Sequence, residues 1–251
     1  MTHQLLTLAL APVLLIQGKS VRRNTPKLPE PPGARQGRKG SGAELRLLIL
    51  GDSAAAGVGA EHQNHALLGQ LVNLLAKDYR VSWALNAATG ATTHSTLEAL
   101  KQQEAQDYDV IVTSLGVNDV TSNIAPHKWQ KQQAVLRQVL QEKFQPRLIV
   151  ISGLPPMAAF PALPQPLRWY LGRRAKCFNR ILKKDLCQYK NIRLLIQNTL
   201  QDSRLMASDG FHPGPDIYTE WALNVAEMVA LSFTGIPIKA NTNKHKYSAS
   251  A

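Results

Sequence analysis

Apolar residues along this chain gather in short dense runs separated by amphipathic stretches. The runs "ELRLLIL" (44–50), "RVSWALNA" (80–87), "YDVIVTSL" (108–115), "RLIVISGL" (147–154) and "IRLLIQ" (192–197) read as five strands. Helical spacing falls between them, near 64–78, 94–106, 127–143 and 167–188, and again over 215–232. The runs are nearly continuous rather than alternating, which is the mark of strands covered by helices on both faces. Regular strand–helix alternation then predicts a three-layer α/β/α sandwich on a central five-stranded parallel sheet with right-handed crossovers. Ligands of such sheets sit outside the carboxyl ends of the strands, so the chemistry is expected just after residues 50, 87, 115 and 154.

The ends of the chain do not share this pattern. Leu5–Ile16, "LLTLALAPVLLI", is an apolar run of twelve residues interrupted by Thr7 and Pro12. A straight bilayer-spanning helix needs about 20 residues. No Lys or Arg precedes the run, and no small-x-small cleavage site follows it. Residues 1–18 are therefore read as a membrane-associating N-terminal segment, with a cleaved signal as the alternative, and the side of the membrane is left open. Residues 19–43, rich in Pro, Gly and charge, read as a linker, residues 44–235 as the folded domain, and 236–251 as a basic flexible tail.

Charge follows the same division. The chain carries +12 in all, yet residues 19–40 hold a net +6 and the tail from residue 236 holds +3, leaving about +3 on the body. A nucleic-acid-binding domain concentrates charge on its folded face, so no nucleic-acid partner is expected. Basic flanks suit an anionic membrane surface instead. The two cysteines, Cys177 and Cys187, fall in one predicted helix, where ten residues separate them by roughly 15 Å, too far to bridge.

What stands at the strand ends is more telling. Gly51, Asp52 and Ser53 follow the first run; Gly90 lies in "NAATGATT" after the second; "GVND", Gly116–Asp119, follows the third. Before the last helix comes "DGFHP", with Asp209 and His212. Acyl transfer needs a nucleophile, a base, a group that orients the base and donors for an oxyanion, and each has a candidate here. A phosphate-binding reading of the first glycine turn fails, because no Gly-Lys-Ser/Thr follows and no lysine occurs until Lys77. A metal site at Asp209 and His212 lacks a third ligand at suitable spacing. Asp52 reads as a structural hydrogen-bonding residue, and Asp119 as a loop cap.

These four blocks, in this order, resemble the SGNH (GDSL-type) serine esterases and lipases over about residues 44–232. One departure is Ala54, where that family usually has leucine. The resemblance implies a flavodoxin-like SGNH hydrolase that cleaves carboxylic esters or thioesters without cofactor or metal, acting on a small-molecule or lipid acyl ester. It implies Ser53 as nucleophile, His212 as base, Asp209 as its orienting carboxylate, and Gly90, Asn118 and Ser53 as oxyanion donors. A cell-envelope carbohydrate O-deacetylase and a non-catalytic membrane-tethered binding protein are the alternatives. The stretch 161–184 interleaves Arg168, Arg173, Arg174, Lys176 and Arg180 with Trp169, Tyr170 and Phe178. It reads either as a solvated basic helix face or as a proline-hinged flap near the fourth strand end.

Overall fold

The computed structural model describes residues 2–197 and 203–233, so the tail predicted from 236 lies outside the described residues. Six strands form one sheet: β1 (Gln36–Lys39), β2 (Ala43–Gly51), β3 (Tyr79–Ala87), β4 (Val110–Ser114), β5 (Leu148–Ser152) and β6 (Ile192–Leu195). Their order across the sheet is β1-β3-β2-β4-β5-β6, and β2 to β6 run parallel. The helices are α1 (Thr2–Asn24), α2 (Ser53–Ala56), α3 (Leu67–Leu75), α4 (Thr93–Gln102), α5 (Val117–Thr121), α6 (Pro126–Phe144), α7 (Leu167–Leu186) and α8 (Pro215–Phe233).

The α/β/α sandwich predicted from the apolar runs is present, with one correction. The sheet has six strands rather than five, because β1 pairs antiparallel with β3, Gln36 opposite Ala84 and Lys39 opposite Val81. This strand lies inside the stretch read as linker. Its four residues, "QGRK", are all exposed, so no apolar alternation announces it. Charged Arg38 and Lys39 on this open edge disfavour pairing with another chain.

The continuous apolar runs are explained by β2. Leu45, Leu47 and Ile49 pack into one cluster with α3 and α8, while Leu48 and Leu50 pack into a second with α4, α6 and α7. Successive side chains point to opposite faces, so a strand buried on both sides must be apolar at every position.

The N-terminal apolar run forms part of α1, which rests one face on the domain. Leu14 is buried, and Leu10 and Val21 pack partly against the α7 side of the core. Gln17 clasps the start of α7, donating from Nε2 to the Gln165 carbonyl at 2.7 Å and accepting from the Leu167 N–H at 3.0 Å. Among the described residues, no helix is long and apolar enough to cross a membrane.

Candidate active site

All the singled-out residues stand at the carboxyl edge of the sheet, and the backbone explains how each is presented. Gly51 ends β2 where a Cβ would lie 2.4 Å from the Ser114 carbonyl oxygen, so only glycine lets the chain turn against β4. Asp52 then caps α2, its Oδ1 accepting from the Ala54 N–H at 3.1 Å. That fulfils the structural role expected of it. Ser53 is thereby held at the first position of a four-residue helix that Gly57 closes in the left-handed conformation. Burial without a full charge partner pushes the Asp52 carboxyl up to about 6.

On the far side of the cleft, Asp209 and His212 belong to a tight loop that the Met206–Pro213 bridge closes just before α8. Asp209 Oδ1 accepts the N–H groups of Phe211 (2.9 Å) and His212 (3.0 Å), and Oδ2 lies 2.5 Å from His212 Nδ1. The Asp209 side chain is fully buried. Burial alone would raise its pKa, but the hydrogen bonds from His212 and Phe211 outweigh it, and the carboxyl lies below its ordinary range. With Nδ1–H given to Asp209, His212 Nε2 is an acceptor, and it lies 2.9 Å from Ser53 Oγ. Residues 159 positions apart in the chain thus meet at hydrogen-bond distance. As expected from Pro213 and Pro215, His212 lies on a loop and Pro215 opens α8.

The predicted oxyanion donors lie on two neighbouring loops. Ala88–Ala91 is a turn closed by the Ala91 N–H on the Ala88 carbonyl at 3.0 Å, with Gly90 at φ +84 in its third position. This positive φ is what calls for glycine there, since nothing lies within 4 Å of where a Cβ would be. Asn118, the second residue of α5, donates from Nδ2 to the Ala91 carbonyl at 2.9 Å, which fastens the two loops together. Asp119 is buried and does more than cap a loop: it accepts the Thr93 N–H and hydroxyl, each at 3.0 Å. Thr93 Oγ1 in turn accepts from Trp129 Nε1 and Gln133 Nε2.

Two spaces adjoin these groups. A small cavity of about 50 Å³ lies against Ser53 and His212, walled by Ala54, Phe160, Phe211 and Trp221. Phe160, immediately before the stretch read as a flap, meets Phe211 edge-on at 5.2 Å, and the Ala162 N–H, within that stretch, donates to the Gly210 carbonyl, so the start of the stretch packs on the histidine loop. A wider groove of about 800 Å³ runs beside Gly90, lined by Arg35, Asn86, Thr89, Ser95 and Gln103. Sequence reasoning missed the aromatic wall and Arg35. Phe211 sat inside the "DGFHP" block, but its role as a wall has no local signature. Cys177 is half-buried and Cys187 exposed, both as free thiols.

The sandwich, with a serine, a histidine and an aspartate linked in series at its carboxyl edge, defines the class of α/β ester hydrolases. Residues 49–219 match the GDSL-like Lipase/Acylhydrolase family, and the chain belongs to it. No curated protein matches the sequence. Among solved structures, the lipase Lip_vut3 from a goat rumen metagenome is similar at 20% identity and TM-score 0.55, over 72% of this chain and 97% of that one. TesA matches at 21% and 0.54, covering 74% and 97%. Axe2, an acetyl-xylooligosaccharide esterase from Geobacillus, matches at 14% and 0.53, covering 72% and 92%. These likenesses are to the fold.

Proposed function

We propose that this ester hydrolase works through an acyl-enzyme on Ser53 and that its acyl groups are short. The observation that carries the mechanism is the 2.9 Å approach of His212 Nε2 to Ser53 Oγ, with Asp209 behind the ring. Serine alone is a weak nucleophile near neutral pH and needs an imidazole to take its proton. Ser53 Oγ attacks the ester or thioester carbonyl as its proton passes to His212 Nε2. Asp209 holds the tautomer and stabilises the imidazolium that results. The Gly90 and Ser53 N–H groups and the Asn118 amide stabilise the developing oxyanion. His212 then protonates the leaving alcohol or thiol, and water, activated by the same imidazole, releases the acid.

The dimensions of the site support the substrate class. A cavity of about 50 Å³ holds a few water-sized groups, which accommodates an acyl chain of about two to four carbons. The broad groove beside Gly90, whose lining mixes Arg35, Asn86, Thr89, Ser95 and Gln103 with Leu50, Ala99 and Leu100, leaves room for a bulky alcohol on the other side of the ester, as in an O-acetylated carbohydrate. Ser53→Ala is expected to lose turnover and fluorophosphonate labelling while keeping the far-UV circular dichroism of the parent. Across p-nitrophenyl esters of rising length, kcat/KM should be highest from acetate to butyrate and collapse by decanoate. Labelling that persists in Ser53→Ala refutes the nucleophile, and a preference for decanoate refutes the short acyl group.

We infer further that α1 lies on an anionic membrane surface. Val13, Leu15 and Ile16 project from it exposed, next to Lys19, Arg22 and Arg23. A helix with one docked face and one bare apolar face bordered by cations matches the chemistry of a lipid headgroup region.

A further inference from the structure

The loop that carries Gly90 is held from three directions. Two are the contacts of Asn118 and Asp119 already described, both from α5. The third comes from outside the family match, from the stretch that precedes β1. Glu30 Oε1 accepts the Thr89 N–H at 2.7 Å and the Thr89 hydroxyl at 2.8 Å. Its other oxygen, Oε2, pairs with Arg35 Nη1 at 2.8 Å. The Arg35 guanidinium also donates to the Leu85 and Ala87 carbonyls at the end of β3, and the Arg35 carbonyl accepts the Leu85 N–H at 2.7 Å. Glu30 and Arg35 therefore form one connected brace across the carboxyl end of β3.

We propose that Glu30 is a positioning residue for the oxyanion site. Thr89 is the second residue of the turn whose third is Gly90, so the plane of the peptide joining them sets where the Gly90 N–H points. That N–H has no acceptor among the described residues. A carboxylate fixed on both the N–H and the hydroxyl of Thr89 holds the flanking peptide in place, and Arg35 holds the carboxylate. Preorganised donors are effective because they need no reorientation as charge develops, and a loosened turn loses that advantage in the transition state more than in the ground state. Burial would raise the Glu30 carboxyl, but the bonds from Thr89 and Arg35 more than offset it and leave it below its ordinary range, so the brace is charged at neutral pH. The inference rests on the Ser53 reading above.

Steady-state kinetics and fluorophosphonate labelling rates of the full chain test it. Glu30→Ala should lower kcat and the labelling rate by about tenfold or more, with KM for a short ester changed less than about twofold. Glu30→Gln keeps an acceptor oxygen for Thr89 and should recover most of the loss. Thr89→Val, nearly isosteric, should give a smaller fall that does not add to that of Glu30→Ala. An unchanged kcat in Glu30→Ala overturns the proposal. So does a Gln variant no better than Ala, or a loss in Ala matched by a rise in KM and a fall in melting temperature. If Glu30→Ala does not fold, Glu30→Gln and Thr89→Val carry the same comparison. Failure of the underlying reading is distinct, because it appears as turnover persisting in Ser53→Ala.

Discussion

Two aspartates in this cleft have opposite environments, and they lead to opposite expectations. Asp209 is buried but receives three hydrogen bonds, from Phe211 and His212, which keep it ionised. Asp209→Asn preserves shape but offers an amide that can stabilise the wrong imidazole tautomer, so kcat should fall by roughly 10³–10⁴ with little change in melting temperature. Asp52 is buried with backbone bonds only, and its carboxyl is raised from 3.8 to about 6. A raised folded value means the native state binds more protons than the unfolded one between those limits, so stability falls as pH rises from about 4 through 6. Asn at 52 keeps the acceptor for Ala54 and removes the buried charge. Asp52→Asn should therefore melt above the parent at pH 7.5, by the order of 2–3 kcal/mol, and converge with it near pH 4. Thermal denaturation at the two pH values decides it, and an equal gap at both would contradict the burial argument.

Among the elements, α1 and β1 show how little of an element's role lies in its own residues. The apolar run of α1 marks a helix that wants a greasy surface, and its docked face finds one on α7 through Leu10, Leu14 and Val21. Leu15 and Ile16 remain 66% and 68% exposed. Leu15→Ser with Ile16→Ser should cut flotation with phosphatidylglycerol-containing vesicles by about tenfold and leave the melting temperature unchanged, because these side chains stabilise nothing in the free protein. Equal flotation of parent and variant, or equal binding to zwitterionic vesicles, would remove the membrane role. β1 is the converse case. No pattern within "QGRK" predicts a strand, and it exists because β3 presents a row of unpaired backbone groups that the preceding chain passes close enough to satisfy.

At the scale of the molecule, the site divides along the same line. Ser53, Gly90, Asn118, Asp209 and His212 were legible because each belongs to a short block at a strand or helix end. A strand end, a turn glycine and an Asp-x-x-His spacing are local properties. Glu30 was not legible, since it acts on a residue 59 positions away and sits in a segment with no periodicity to read. Nor was the cavity beside Ser53, whose walls come from the loop after β5, the histidine loop and α8.

Periodicity along the chain records which side chains must leave water, and that was enough to lay out the parallel strands, the covering helices and the edge where chemistry collects. It does not record which distant segments touch. The 2.9 Å contact of Ser53 with His212, the brace on Thr89, the sixth strand and the volume of the cavity beside Ser53 all came from packing in three dimensions. The reason is that burial is a property of each residue, whereas distance and volume belong to pairs and groups brought together only when the whole core closes.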